Sequence, residues 1–211
     1  MRLITYYTDS HTYLYENYFI SSIKDDFEIL CKIGDQISPD GNYFTTGFNE
    51  TTKNKILFLF ESLSGITENE FVLFSDVDII FLNPISDYIK EYMDYDMVFQ
   101  KGFGGLNTGF FILKNIPEVR NLLNSVVENC HHYHDDQIAL NKLINKFNIN
   151  YTTFNDRIMC PATVIGSKIW TDEQFIIPEE TLVFHACWCA GVDNKIRLLN
   201  YVRDYKQITS S

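Results

Sequence analysis

Short apolar runs rich in β-branched and aromatic residues recur along the chain, and segments of helical periodicity fill the intervals between them. Residues 3–8, 27–33, 71–74, 97–99, 109–113 and 181–184 read as strands. Ile56, Leu59, Phe60 and Leu63 fall on one helical face. Pro117 suits a first helical position, and Val119, Leu122, Leu123, Val126 and Val127 keep helical spacing behind it. Leu140, Leu143, Ile144 and Phe147 form another such face, and residues 194–205 a final helix. Strands alternating with helices require layers, an α/β fold in which helices cover a largely parallel sheet. No repeat, linker or compositional break divides the chain, so a single domain over residues 1–211 is expected. Ligands of such sheets bind outside the carboxyl ends of the strands.

Seventeen basic against 28 acidic residues leave a net charge of −11. That field repels phosphate backbones and anionic membranes, so nucleic acid is excluded as the main partner. An anionic ligand would need positive charge supplied locally. Five scattered cysteines make no disulfide framework and favour a reducing compartment. The first residues lack a long apolar core and read as a strand rather than a signal peptide. No apolar run is long enough to span a membrane.

The sharpest local feature follows the apolar run at residues 71–74. Ser75-Asp76-Val77-Asp78 places two carboxylates at i and i+2, and Ile79-Ile80-Phe81 follows. At a strand end that spacing points both side chains the same way. Two buried carboxylates call for a cation, and hard divalent ions take oxygen ligands and bridge phosphate oxygens. With 16 aspartates in the chain, about one Asp-x-Asp triplet arises by chance. Asp94-Tyr95-Asp96 is a second one, and it reads as a solvated loop.

The strand with its Asp-x-Asp resembles the nucleotide-diphosphosugar glycosyltransferases of the GT-A fold, retaining families 8 and 77 in particular. Further motifs follow in the same order: Leu106-Asn107-Thr108-Gly109 before an apolar strand, Asp135-Asp136-Gln137 at a helix start, and His185-Ala186-Cys187-Trp188-Cys189-Ala190-Gly191 with Lys195 behind it. The resemblance implies Rossmann-like α/β/α layers around a mostly parallel sheet. It also implies a divalent metal held by Asp76, Asp78 and His185, Mn²⁺ or Mg²⁺, with Mn²⁺ better suited to an imidazole. A histidine buried in a half-covered strand is the plain alternative for His185.

By the same resemblance Lys195, Gly191 and a helix start would hold the donor diphosphate, a setting that favours anions. Lys55 would lie near the nucleotide. Each lysine could equally be a solvated surface residue. Asp136, Gln137 and Asn107 would face the donor sugar. Against this, either acid at 135–136 could simply cap a helix, and Asn107 could be a turn amide. Tyr7 and Thr8, at the end of the first strand, would meet the nucleobase. Cys130-His131-His132-Tyr133-His134, even with Cys187 and Cys189, lacks zinc-ligand spacing.

The resemblance thus implies a hexosyl- or pentosyltransferase using a nucleotide-sugar donor, a UDP-sugar, and an acceptor hydroxyl on a glycan, protein or small molecule, with retention of configuration. Two rivals stand beside it. A sugar nucleotidyltransferase would need a basic glycine-rich loop after the first strand, where Thr8-Asp9-Ser10-His11 stands. A non-catalytic metal- or glycan-binding module could share the fold. A cytoplasmic location is expected, and a homodimer is left open.

Overall fold

The computed structural model describes residues 1–38, 43, 45, 47–166 and 168–209. Strand β1 (Arg2–Thr8) runs into a one-turn 3-10 helix, then α1 (Thr12–Leu14), a π-helical turn and α2 (Ile20–Ser22). β2 (Glu28–Gly34), α3 (Phe48–Ser62), β3 (Phe71–Ser75), β4 (Ile79–Phe81), α4 (Ser86–Lys90), β5 (Met97–Gly102) and β6 (Gly105–Lys114) follow. The chain continues through α5 (Pro117–Asn129), α6 (Asp136–Leu143), β7 (Tyr151–Thr153), β8 (Ile158–Met159), α7 (Pro161–Val164), β9 (Val183–His185) and α8 (Val192–Thr209).

Six strands form one sheet in the order β2-β1-β3-β6-β5-β7. Only β6 runs against the others. Its reversal follows from the tight connection between Gly102 and Gly105, which can join only antiparallel neighbours. The start of β6 therefore shares an edge with the carboxyl ends of β3 and β5. There the register breaks. Phe99 pairs with Phe111, but Gln100 pairs with Asn107, so Thr108, Gly109 and Phe110 have no direct partners on β5. Such irregularities re-aim side chains.

The second sheet has the order β4-β9-β8. The apolar residues at 79–81 read from sequence only as a flank of the Asp-x-Asp; they form β4. The 181–184 run, read as one more strand of a single sheet, supplies β9 of this second sheet. The difference has a physical cause: only Asp76, Val77 and Asp78 separate β3 from β4, so the chain turns out of one sheet straight into the other. The helix expected through Phe147 ends at Leu143, with a 3-10 turn after it.

Alternation along the strands divides the core between two faces. Phe110 and Ile112 of β6, with Leu73 of β3, pack toward β4, β9 and α8. Phe111 and Leu113, with Val72 and Phe74, pack toward α3, α5 and α6. On that second face Phe111 stacks on Phe74 at 5.2 Å and on Phe99 at 5.3 Å between ring centroids. Among the described residues no helix is long and apolar enough to cross a membrane.

Phe111→Ala should lower the unfolding free energy by about 3–5 kcal/mol, the usual cost of truncating a fully buried phenylalanine. Tyr13→Ala, at a half-exposed position, should stay within about 0.5 kcal/mol. Urea denaturation of the two variants checks this, and equal midpoints would remove the stacked trio as the centre of that face.

Candidate functional site

The turn between the sheets carries the acids. Val77 is buried between them, while the Asp76 amide donates to the Gly109 carbonyl at 2.7 Å. The Asp78 carbonyl accepts from the Ala186 amide at 2.8 Å. Ile79 of β4 pairs in register with His185 of β9. A histidine more than 100 residues downstream is thus set beside the Asp-x-Asp by strand pairing rather than by a flexible loop. One ligand atom from each of Asp76, Asp78 and His185 lies within 4.8 Å of the other two.

Gly109 forms the floor beneath them. A Cβ there would collide with the His185 ring, stand 2.7 Å from Asp76 Oδ2 and 3.0 Å from Asn107 Oδ1. Only backbone fits under the three groups.

The hydrogen bonds around His185 fix its tautomer. Gln100 Nε2 donates to the Met159 carbonyl at 2.9 Å, which turns Oε1 toward the imidazole. That oxygen is 2.7 Å from Nδ1, so Nδ1 carries the proton it accepts. Nε2 is left facing Asp78 Oδ1 at 3.2 Å. In the neutral ring this sets a lone pair against a carboxylate, so a proton or a cation must lie between them. Burial opposes charge on His185, but Asp78 outweighs it and raises its pKa above the ordinary value.

Two lysines complete the charge pattern. Lys195 Nζ is 2.8 Å from Asp78 Oδ2. Burial presses the Asp78 pKa upward, yet Lys195 and His185 prevail and hold it well below the usual carboxylate range. Lys55 Nζ lies 2.9 Å from Asp136 and 3.4 Å from Asp76. The Asp76 pKa is nevertheless raised, by burial first, with Asp78 adding to it against the pull of Lys55. Asp76 keeps 27% of its side chain exposed and so stays open to a ligand.

Other sequence candidates take defined places. Asp135 is the cap of α6, its Oδ1 accepting from the Ile138 amide at 2.7 Å, and this frees Asp136 to pair with Lys55. Asn107 Oδ1 accepts from the Gly109 amide at 2.8 Å, and its Nδ2 lies 3.9 Å from Cys187 Sγ. Gln137 Oε1 accepts weakly from the Thr108 amide at 3.4 Å. Gly191 has φ +81, the left-handed conformation that lets the chain turn into α8. Tyr7 stacks on Tyr15 at 4.7 Å within the core rather than joining the acidic cluster. Thr8 Oγ1 stands 3.4 Å from Ser10 Oγ, which lies 2.9 Å from His11 Nδ1. His11 Nε2 in turn is 3.5 Å from Lys195 Nζ.

The solvated-lysine reading is overturned for both Lys55 and Lys195, because buried carboxylates claim them. The second Asp-x-Asp takes no part: Asp94 is exposed, and Asp96 accepts from the Asn150 amide. The Cys130–His134 segment supplies no metal group among the described residues. Sequence reasoning missed Gln100, His11 and the role of Gly109. Gln100, a polar residue in an apolar strand, was the available signal for the first. An open cavity of about 380 Å³, lined by Arg2, Glu28, Asn69 and Glu70 among others, lies at the amino ends of β1 and β3 and holds none of these groups.

A family profile described as nucleotide-diphospho-sugar transferase matches residues 33–199. No curated protein matches the sequence. Among solved structures, the glycosyltransferase GlyE of Streptococcus pneumoniae TIGR4 is similar with a TM-score of 0.59 at 16% identity, covering 97% of this chain and 60% of its own. This chain therefore spans less than two thirds of GlyE. The galactosyltransferase LgtC, solved with donor and acceptor sugar analogs, gives 0.58 at 13% identity over 98% of this chain and 95% of its own. A glycosyltransferase involved in glycosylating the major capsid of PBCV-1 gives 0.60 at 10% identity, over 95% of this chain and all of its own. At such identities the likeness establishes the fold, the GT-A architecture.

Gln100→Leu removes the acceptor that fixes His185; any affinity of the Asp76-Asp78-His185 group for a divalent ion such as Mn²⁺ should then fall about 10–100-fold, the usual cost of losing an outer-shell partner. Calorimetric titration with Mn²⁺ measures it, and unchanged affinity would separate Gln100 from the centre.

Proposed function

The chain belongs to the nucleotide-diphospho-sugar transferase family, and on that premise we propose that it moves a sugar from a UDP-sugar to an acceptor hydroxyl, using a divalent cation at Asp76, Asp78 and His185. One observation carries the reading: a ligand atom from each of Asp76, Asp78 and His185 lies within 4.8 Å of the other two, with His185 Nε2 turned toward Asp78 Oδ1. Two carboxylates and an imidazole suit Mn²⁺ over Mg²⁺. When bound, the ion supplies Lewis-acid stabilisation of charge on the leaving diphosphate.

The protein's own residues do the remaining work. Lys195, at the first turn of α8, brings an ammonium and the positive end of a helix to the side of the site where diphosphate oxygens would lie. This is the local positive charge that an otherwise acidic chain has to provide. Gly191 lets the backbone turn into that helix start, and Thr8, with Tyr7 behind it, borders the nucleoside side of the site. Lys55, 2.9 Å from Asp136, holds that side chain in place, so that it can meet sugar hydroxyls or an oxocarbenium-like centre. Asn107 and Gln137 position the ring. All of these residues act within one domain.

Retention follows if the departing phosphate oxygen takes the acceptor's proton, which requires no separate base. Anomeric analysis of the product tests this; an inverted product sends the search to a carboxylate base.

A thermal-shift screen of nucleotide-sugars with Mn²⁺ should single out the donor, since bound ligand raises stability by mass action. A chelator should abolish the shift, and the responding sugar decides between hexosyl and pentosyl transfer. Lys195→Ala should lower kcat by about 10²–10³, the cost of losing one preorganised electrostatic group. Turnover of no nucleotide-sugar by the wild type, or full turnover by Lys195→Ala, would overturn the reading.

A further inference from the structure

We propose that Phe103 and Trp188 form an aromatic platform for the acceptor, and that the acceptor is therefore a saccharide, stacked by the C–H face of a pyranose ring. The inference rests on the sugar-transfer reading above and names its second substrate.

Both rings stand on segments that leave the acidic cluster directly. Phe103 occupies the tip of the β5–β6 hairpin, three residues beyond Gln100, which holds His185. At the strand rise this is about 10 Å along the chain, the span of one or two sugar rings. Trp188 lies three residues after His185, in the loop that leads to Gly191 and Lys195. The amide of Asn107 and the thiol of Cys187, 3.9 Å apart, lie on the same two segments, between each ring and the cluster.

The two rings meet at 5.9 Å between centroids with their planes at 76°, an open corner rather than a closed stack. Phe103 is 56% exposed, so this contact does not serve the core.

Trp188 is held in place. Its φ is +57, a left-handed conformation that a bulky residue rarely adopts and that persists only where its surroundings enforce it. The Trp188 carbonyl accepts from the Trp170 amide at 2.8 Å, and Trp170 bridges to Cys189. Trp170 is itself buried, its Nε1 donating to the Glu173 carbonyl at 2.9 Å. The backbone that carries the indole is thus set before any ligand arrives, which lowers the ordering cost of binding.

Position and charge select the occupant. Lys195 and His11 reach the cluster from the side of β1, whereas the hairpin lies across β3 and β6 from it. A chain of net charge −11 repels an anionic acceptor and leaves a neutral sugar unaffected. Aromatic faces gain dispersion contact with the apolar face of a pyranose while its hydroxyls stay free to react.

Trp188 is one of only two tryptophans, and the other is buried, so intrinsic fluorescence reports the platform directly. Titration with methyl glycopyranosides, lactose, maltose and cellobiose, with Mn²⁺ and UDP present, should give a saturable change with at least one of them. Trp188→Phe should abolish that change, and Phe103→Ala should weaken the apparent affinity tenfold or more. With the donor in hand, Phe103→Ala should raise acceptor KM at least tenfold and lower the ratio of transfer to donor hydrolysis equally, with Phe103→Tyr restoring both. No fluorescence response to any saccharide overturns the platform, as does an unchanged acceptor KM or transfer confined to hydroxyl peptides. The fluorescence arm needs no turnover, so a saccharide response from a protein that consumes no nucleotide-sugar would overturn the transfer reading and leave the platform standing.

Discussion

Asp78 can be buried only because each of its oxygens meets a partner able to carry positive charge, His185 at Oδ1 and Lys195 at Oδ2. An unpaired carboxylate in that position would carry a heavy desolvation cost. Both partners come from the last 30 residues, so this single side chain ties the front of the molecule to its end. The pairing of β4 with β9, the tight turn at Gly191 and the docking of α8 all serve the same convergence. Asp76 and Asp136 repeat the arrangement on the other side with Lys55 as their shared partner. The result is alternating charge on both sides of the motif, His185-Asp78-Lys195 on one and Asp76-Lys55-Asp136 on the other.

The parts that local chemistry dictates were readable in advance. Phe71-Val72-Leu73-Phe74 is apolar throughout because both faces of β3 are covered, and Pro117 opens α5 because its ring fits a helix start. Asp76 and Asp78 emerged from residue type and spacing, His185 and Lys195 from the family resemblance, and the four do converge. The two-sheet architecture was not readable. β4 and β9 are three residues each, too short for alternation to reveal which sheet they join. Gln100 stood out only as a polar residue after an apolar run; its role depends on a register slip that brings it opposite Asn107, which that signal does not reveal. The burial of Lys55 depends on Asp136, 81 positions away in sequence. Distance along the chain is what hides such a partner, since periodicity reports only on a residue's own element.

Net charge describes the surface of this protein better than its centre. Twenty-eight acids against 17 bases would suggest a uniformly repulsive field for any phosphate. Around the Asp-x-Asp the pattern is closely balanced, with Lys55 and Lys195 set against Asp76, Asp78 and Asp136. Burial strengthens each of these contacts, because little water remains to screen them. Admission of a phosphate group is therefore a local matter of a few ångströms, while the surrounding acidity disfavours other anions.

The β4–β9 pairing also sets a schedule for biogenesis. A ribosome that has released β3 and β4 has made both aspartates of the motif, but the imidazole and the ammonium that neutralise them emerge about a hundred residues later. Until then the acids face only each other and Lys55, and the half-built sheet has every reason to keep them in water. The Asp78 carboxylate therefore gains its partners in one event, when β9 registers against β4.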